Sequence, residues 1–127
     1  MREPTRKLAA IVFTDIVGFT KLTAEDQSKA SLLLKQQRKL FQPIVAKYNG
    51  TWIKEMGDGL LLIFETVTDA VKSCLEIQEI AKLNEGLILR IGIHQGEILI
   101  EKNDILGDDV NVASRIEPFS APGGIAI

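Results

Sequence analysis

Apolar residues in this chain follow two rhythms, and together these lay out its elements. Residues 8–14 form an almost unbroken apolar run, as expected of a strand buried on both faces. After a turn at Gly18, Ala30, Leu33, Leu40, Phe41, Ile44 and Tyr48 recur at helical spacing and predict one long helix. Thr23, with Asp26 three residues on, reads as its capping box. Pro43 should kink the helix or split off its last turns, and Asn49-Gly50 ends it. Residues 51–56 and 60–64 read as the strands of a hairpin with Gly57-Asp58-Gly59 at its tip. Thr66 and Asp69 open a further helix whose apolar face is Ala70, Val71, Cys74, Ile77 and Ala81, closed by Asn84-Glu85-Gly86. Residues 87–93 predict a strand, which Gly96 interrupts before a second run at 97–100. A loop at 104–107, a short helix at 109–116 and a last strand entered through Pro122-Gly123-Gly124 complete the pattern.

Helices recurring between strands predict an α+β domain, a mainly antiparallel sheet with helices covering one face. The strand–helix–strand–strand–helix–strand order is the ferredoxin-like plan. At 127 residues the chain fits one domain, here spanning 1–127. A net charge of −2 argues against a sequence-independent grip on nucleic acid, which needs a basic face. The single Cys74 excludes an internal disulfide and suits a reducing compartment. No apolar run approaches a membrane span, and no signal-peptide core follows the N-terminal residues. We therefore expect a cytoplasmic location with no direct membrane contact. The chain stops within what reads as a strand, so we also expect it to be part of a larger protein carrying sensor or regulatory domains.

Candidate chemistry begins at Asp15, delivered by an apolar strand to its C-terminal end just before the Gly18 turn. That arrangement puts an anionic metal ligand beside free backbone N–H groups at a helix N-terminus, which suits a metal-bound phosphate. In the ferredoxin-like plan the first strand lies beside the hairpin, which would bring Asp15 near Asp58. Two carboxylates at one sheet edge suit Mg²⁺ or Mn²⁺, and two such ions could hold the attacking and leaving oxygens of a phosphoryl displacement. Gly-Asp-Gly is also ordinary turn chemistry, which would leave Asp58 without a ligand role. Asn111 and Arg115, four apart, share a helix face. They could meet a sugar oxygen and a phosphate, or simply be solvated. Arg90, between Leu89 and Ile91, either points into a cleft with an anionic partner or forms a structural salt bridge.

Phe13-Thr14-Asp15-Ile16-Val17-Gly18-Phe19-Thr20, Lys54-Glu55-Met56-Gly57-Asp58, Leu89-Arg90-Ile91-Gly92-Ile93-His94-Gln95-Gly96 and Gly107-Asp108-Asp109-Val110-Asn111-Val112-Ala113-Ser114-Arg115 occur in that order. Together they resemble the catalytic domain of class III nucleotidyl cyclases over nearly the whole chain. The resemblance implies that Asp15 and Asp58 are metal carboxylates for two divalent cations, Mg²⁺ or Mn²⁺, with Ile16 adding a backbone carbonyl. Backbone N–H groups at Val17, Gly18, Phe19 and Thr20 would cradle phosphates, and Arg90 would add a phosphate contact. Lys54 and Asp104 would form the base-selecting pair, Asn111 and Arg115 the transition-state pair. Lys can donate to adenine N1 and Asp can accept from the N6 amine. Guanine presents the opposite pattern, for which family members tend to carry Glu and Cys. The implied substrate is ATP.

The family also divides each site between two subunits, which implies a head-to-tail homodimer. His94 reads as structural in its motif, and no general base stands out. Members of the family normally continue past the strand starting at Gly123, so the resemblance implies a C-terminally incomplete domain lacking its last strands. A catalytically silent cyclase-like nucleotide-binding or regulatory domain is the alternative. A guanylate cyclase is opposed by Lys54 and Asp104. The Gly-Gly-Asp/Glu-Glu-Phe signature of diguanylate cyclases and the Gly-Lys-Ser/Thr of a P-loop are both absent.

Overall fold

The computed structural model describes residues 5–102 and 104–127. Five strands form one sheet in the order β2-β3-β1-β4-β5: β1 (Thr5–Ile16), β2 (Thr51–Met56), β3 (Gly59–Phe64), β4 (Leu89–Glu101) and β5 (Asp104–Leu106). Every neighbouring pair is antiparallel. The first four strands have the ferredoxin-like order, with β5 added outside β4. β1 is central, between β3 and β4, and both of its faces are covered, which explains its continuous apolar run. Its even positions Ala10, Val12 and Ile16 enter one core, while Ala9, Ile11 and half-buried Phe13 enter another on the opposite face.

The first core lies beneath α2 (Gln27–Lys47) and α3 (Val67–Lys82), built around fully buried Phe41, Phe64, Ile77, Leu89 and Ile91. Gln78 pins α3 down by donating to the carbonyls of Leu89 and Gly124. The second core carries α4 (Asp108–Ile116) through Val110 and Ala113. Helices therefore lie on both faces of the sheet, because α4 has an apolar stripe of its own. A 3₁₀ turn, Glu117–Phe119, follows α4.

Local structure departs from expectation in five places. A separate helix α1 (Phe19–Glu25) starts immediately after Gly18, which is left-handed at φ 77. Thr23 lies inside it, donating its hydroxyl to the Phe19 carbonyl. Extended Asp26 caps α2 instead, accepting from the Lys29 N–H at 3.0 Å. The capping box is thus two separate contacts, since each short polar side chain found the nearer backbone group. α2 runs through Pro43 to Lys47 without being split. β4 is continuous across Gly96, and part of the expected 104–107 loop is β5. Beyond the Gly123 turn, pairing is a single parallel bridge, Gly92 to Ala126, on the outer edge of β4. Cys74 is fully buried, and burial pushes its thiol up to about 12.

Candidate active site

The C-terminal end of β1 collects one group of charged residues. Thr14 pairs with Leu60 at the start of β3, so the hairpin tip preceding Leu60 reaches Asp15 and Ile16. The Ile16 N–H donates to Asp58 Oδ2 at 2.8 Å. The two carboxylates expected to be neighbours are therefore brought together. On the other flank Asp15 stands opposite Arg90 in the β1–β4 register. Asp15 Oδ1 and Arg90 Nε are both buried without a hydrogen-bond partner, and no ion pair joins them among the described residues.

Two residues that sequence reasoning missed complete this end. Glu117, 7% exposed, has a buried Oε2 without a partner. Burial, and then the Asp15 carboxylate beside it, push its carboxyl up to about 8, while Arg90 pulls the other way. Gln37, 1% exposed on α2, donates to the Asp58 backbone carbonyl at 3.4 Å and steadies the hairpin tip. A signal for Gln37 was present: it shares the stripe of Leu33 and Phe41, where a polar residue is anomalous.

The Gly18 turn stands next to this group. Among the four residues expected to cradle phosphate, Val17 is a correction: its N–H already donates to the Ile88 carbonyl at 2.7 Å. Gly18, Phe19 and Thr20 lie at the start of α1, where backbone donors lack intrahelical partners.

A second group forms across the sheet. Lys54 belongs to β2 and Asp104 to β5, the two edge strands, yet Lys54 Nζ lies 3.1 Å from Asp104 Oδ2. The sheet curls until its edges meet on the face that carries α4. The Ile105 N–H, and then Lys54, hold the Asp104 carboxyl below its ordinary value, so it remains an anionic acceptor. Beside this pair is a cleft of about 400 Å³ whose lining includes Phe13, Lys54, Leu61, Gly107 and Asn111. Arg115, one turn beyond Asn111, is exposed and makes no ion pair among the described residues.

No hydrogen bond or ion pair connects the Asp15 and Lys54 groups among the described residues. Lys54 lies two residues before the end of β2, and Asp58 lies in the turn beyond it. One chain therefore carries an acidic, partly buried group and a separate group of Lys, Asp and Asn around a cleft.

A family model described as "Adenylate and Guanylate cyclase catalytic domain" matches residues 2–127. The chain belongs to that family. This cyclase domain is 38% identical over 130 residues to "Putative adenylate cyclase 3" of Rhizobium meliloti, covering 96% of this chain and 22% of the relative. It is 28% identical over 130 residues to the pH-sensitive adenylate cyclase MT1302 of Mycobacterium tuberculosis, covering 98% of this chain and 32% of that protein. The cyclase domain thus spans about a third or less of those relatives. Among solved structures, an adenylate/guanylate cyclase/hydrolase from Silicibacter pomeroyi superposes with a TM-score of 0.85 at 36% identity, covering 95% of this chain and 75% of that one. The adenylyl cyclase CyaB from P. aeruginosa superposes at 0.84 with 26% identity, covering 98% and 78%. Among the described residues, no helix of the cyclase domain is long and apolar enough to cross a membrane.

Proposed function

We propose that this domain converts ATP to 3′,5′-cyclic AMP and pyrophosphate, in sites shared between the two subunits of a head-to-tail homodimer. The observation that carries this reading is the Lys54–Asp104 contact beside the cleft that Asn111 lines. Lys54 donates to adenine N1 and Asp104 accepts from the N6 amine. Guanine would mismatch both contacts, leaving polar groups unpaired. Both side chains are nearly half exposed, so turning from each other to a base costs little.

In this reading Asn111 orients the ribose and Arg115 faces the α-phosphate. The 3′-oxygen attacks the α-phosphorus in line, its proton passes to solvent water, and the bond from the α-phosphorus to the bridging oxygen breaks to release pyrophosphate. Arg115 stabilises the charge that grows on the α-phosphate oxygens. Gly18, Phe19 and Thr20 present N–H groups to the triphosphate, with Arg90 as a further phosphate contact.

Asp15 and Asp58 fit one or two hard cations, Mg²⁺ or Mn²⁺. Asp15 Oδ1 is buried without a partner and Asp58 is held in place by Ile16, whose carbonyl would be a third oxygen donor. Bound there, such cations would lower the pKa of the 3′-hydroxyl and neutralise triphosphate charge. The described residues contain no cluster of three or more metal-ligating side chains, so phosphate and water oxygens would complete the coordination. Because the two half-sites are separate in one chain, a second copy supplies the missing half of each site.

The test is to incubate the chain at high concentration with Mn²⁺ and either ATP or GTP, with Asp15→Ala as control. Cyclic AMP from ATP alone, abolished by the substitution, is the expected result. Cyclic GMP with ATP ignored would overturn the base assignment, and nucleotide binding without turnover would favour the silent-domain reading.

A further inference from the structure

Two motif residues have no part in the proposed chemistry: His94, the only histidine, and Gly96, which looked like a break in a strand. Asp109, in the first turn of α4, accounts for both. Its carboxylate turns back onto β4: Oδ1 accepts from His94 Nε2 at 2.9 Å and Oδ2 accepts from the Glu97 N–H at 2.8 Å. Between those contacts the side chain crosses Gly96. A Cβ there would lie 2.3 Å from Asp109 Cγ, so only glycine leaves the passage open. Gly96 is a slot in a continuous strand.

The other end of α4 repeats the device. Gly92, four residues back along β4, lies under Glu117, where a Cβ would be 2.5 Å from the Glu117 nitrogen. The eight residues from Asp109 to Glu117 rise about 12 Å along a helix, and the four from Gly96 to Gly92 span about 13 Å of strand. The helix is therefore seated at both ends on matching glycines of one strand. A nine-residue helix is marginal by itself, and Ala113 is the residue in α4 that is fully buried. Its end contacts therefore decide where its polar side chains point.

We infer that Asp109 and His94 are positioning residues: they latch the first turn of α4 onto β4 and so set the placement of Asn111 and Arg115. This rests on the cyclase reading above only for its catalytic consequence. The latch itself is a property of the nucleotide-free domain. His94 as donor helps keep the Asp109 carboxyl below its ordinary value, so the pair meets as a charge-assisted bond.

The test measures kcat and KM for ATP, and amide hydrogen exchange without nucleotide, in wild type, Asp109→Ala, His94→Ala and His94→Gln. Losing a hydrogen bond to a charged group should lower kcat by about tenfold in Asp109→Ala and His94→Ala, with KM within about twofold. His94→Gln, which keeps an N–H donor, should recover most of the loss. The Glu97 amide should exchange about tenfold faster in Asp109→Ala, with faster exchange across α4 in both alanine variants. Unchanged kcat in an active enzyme, or a loss that His94→Gln does not relieve, overturns the latch. If the wild type makes no cyclic AMP, the cyclase reading fails and the exchange data decide alone: faster Glu97 exchange supports the latch, and unchanged exchange overturns it.

Discussion

Replacing Gly92 by alanine adds one methyl group where the backbone leaves no room. An ideal Cβ would lie 2.5 Å from Glu117 N, 2.6 Å from its Cα and 3.0 Å from its Cβ. Comfortable contacts between such atoms are about 3.5–4.0 Å, so the overlap is roughly 1 Å. No flexible side chain can swing aside. The Glu117 N–H donates to the Ala113 carbonyl, its own carbonyl accepts from the Ser120 N–H at 3.0 Å, and Gly92 is held opposite Phe13 in the sheet. Gly92 is not in the left-handed region, so the whole effect is steric. Overpacking by a methylene or two typically costs 1–3 kcal/mol, and a backbone-to-backbone clash belongs at the top of that range, about 3 kcal/mol. For a domain of this size that is a fall in Tm of about 10 °C. Gly57→Ala is the control: its φ is +62 with nothing within 4 Å, so only the left-handed penalty of about 1 kcal/mol applies. Urea titrations of both variants read the difference directly. A Gly92→Ala protein within about 0.5 kcal/mol of wild type would refute the seating of Glu117 on β4.

Exchanging the base pair, Lys54→Glu with Asp104→Cys, should raise the GTP-to-ATP ratio of kcat/KM by about 100-fold or more, and an unchanged ratio would remove these residues from base selection. Asp58→Asn keeps an acceptor for the Ile16 N–H, so its urea midpoint should match wild type while Mn²⁺ affinity, followed by electron paramagnetic resonance, falls about tenfold. Equal affinity in both proteins would mean that Asp58 is a turn residue only. Two hydrogen bonds from Arg38, at 2.7 and 2.8 Å, hold the Glu55 carboxyl below its usual 4.5. A depressed carboxyl contributes stability above its ordinary pKa and loses it as pH falls through the folded value. Arg38→Ala should therefore flatten the acid limb of Tm against pH, and an unaltered limb would show that the pair is neutralised by solvent.

β1, β3 and the first half of β4 were legible because each carries its burial locally, whereas β5 read as a loop because only one of its three residues is buried. β1 is apolar on both faces because α2 and α3 cover one and α4 the other, and its place beside the hairpin put Asp15 near Asp58. Lys54 and Asp104 were paired by resemblance, whereas their contact depends on curling of the sheet, which no periodicity encodes. The break between α1 and α2 was missed because Thr23 and Asp26 fit one capping box as well as two separate contacts. Gly96 was misread for a related reason. A glycine that stops a strand and a glycine that admits a neighbour's side chain look alike until the neighbour is placed, and Asp109 lies on another element. Glu117 gave little warning, since a carboxylate after a short helix is usually solvated. Its burial depends on Gly92 lacking a Cβ.

The central place of β1 also sets an order of events when the chain first folds. Thr14 must wait for Leu60 on one side and Ile91 on the other, so β1 lacks its second neighbour until β4 is made. Until β4 leaves the ribosome, β1 presents an apolar strand with an open edge, and pairings this distant in sequence form slowly. The segment that becomes the best-protected part of the sheet is thus, for a time during synthesis, the one most open to capture by another nascent chain.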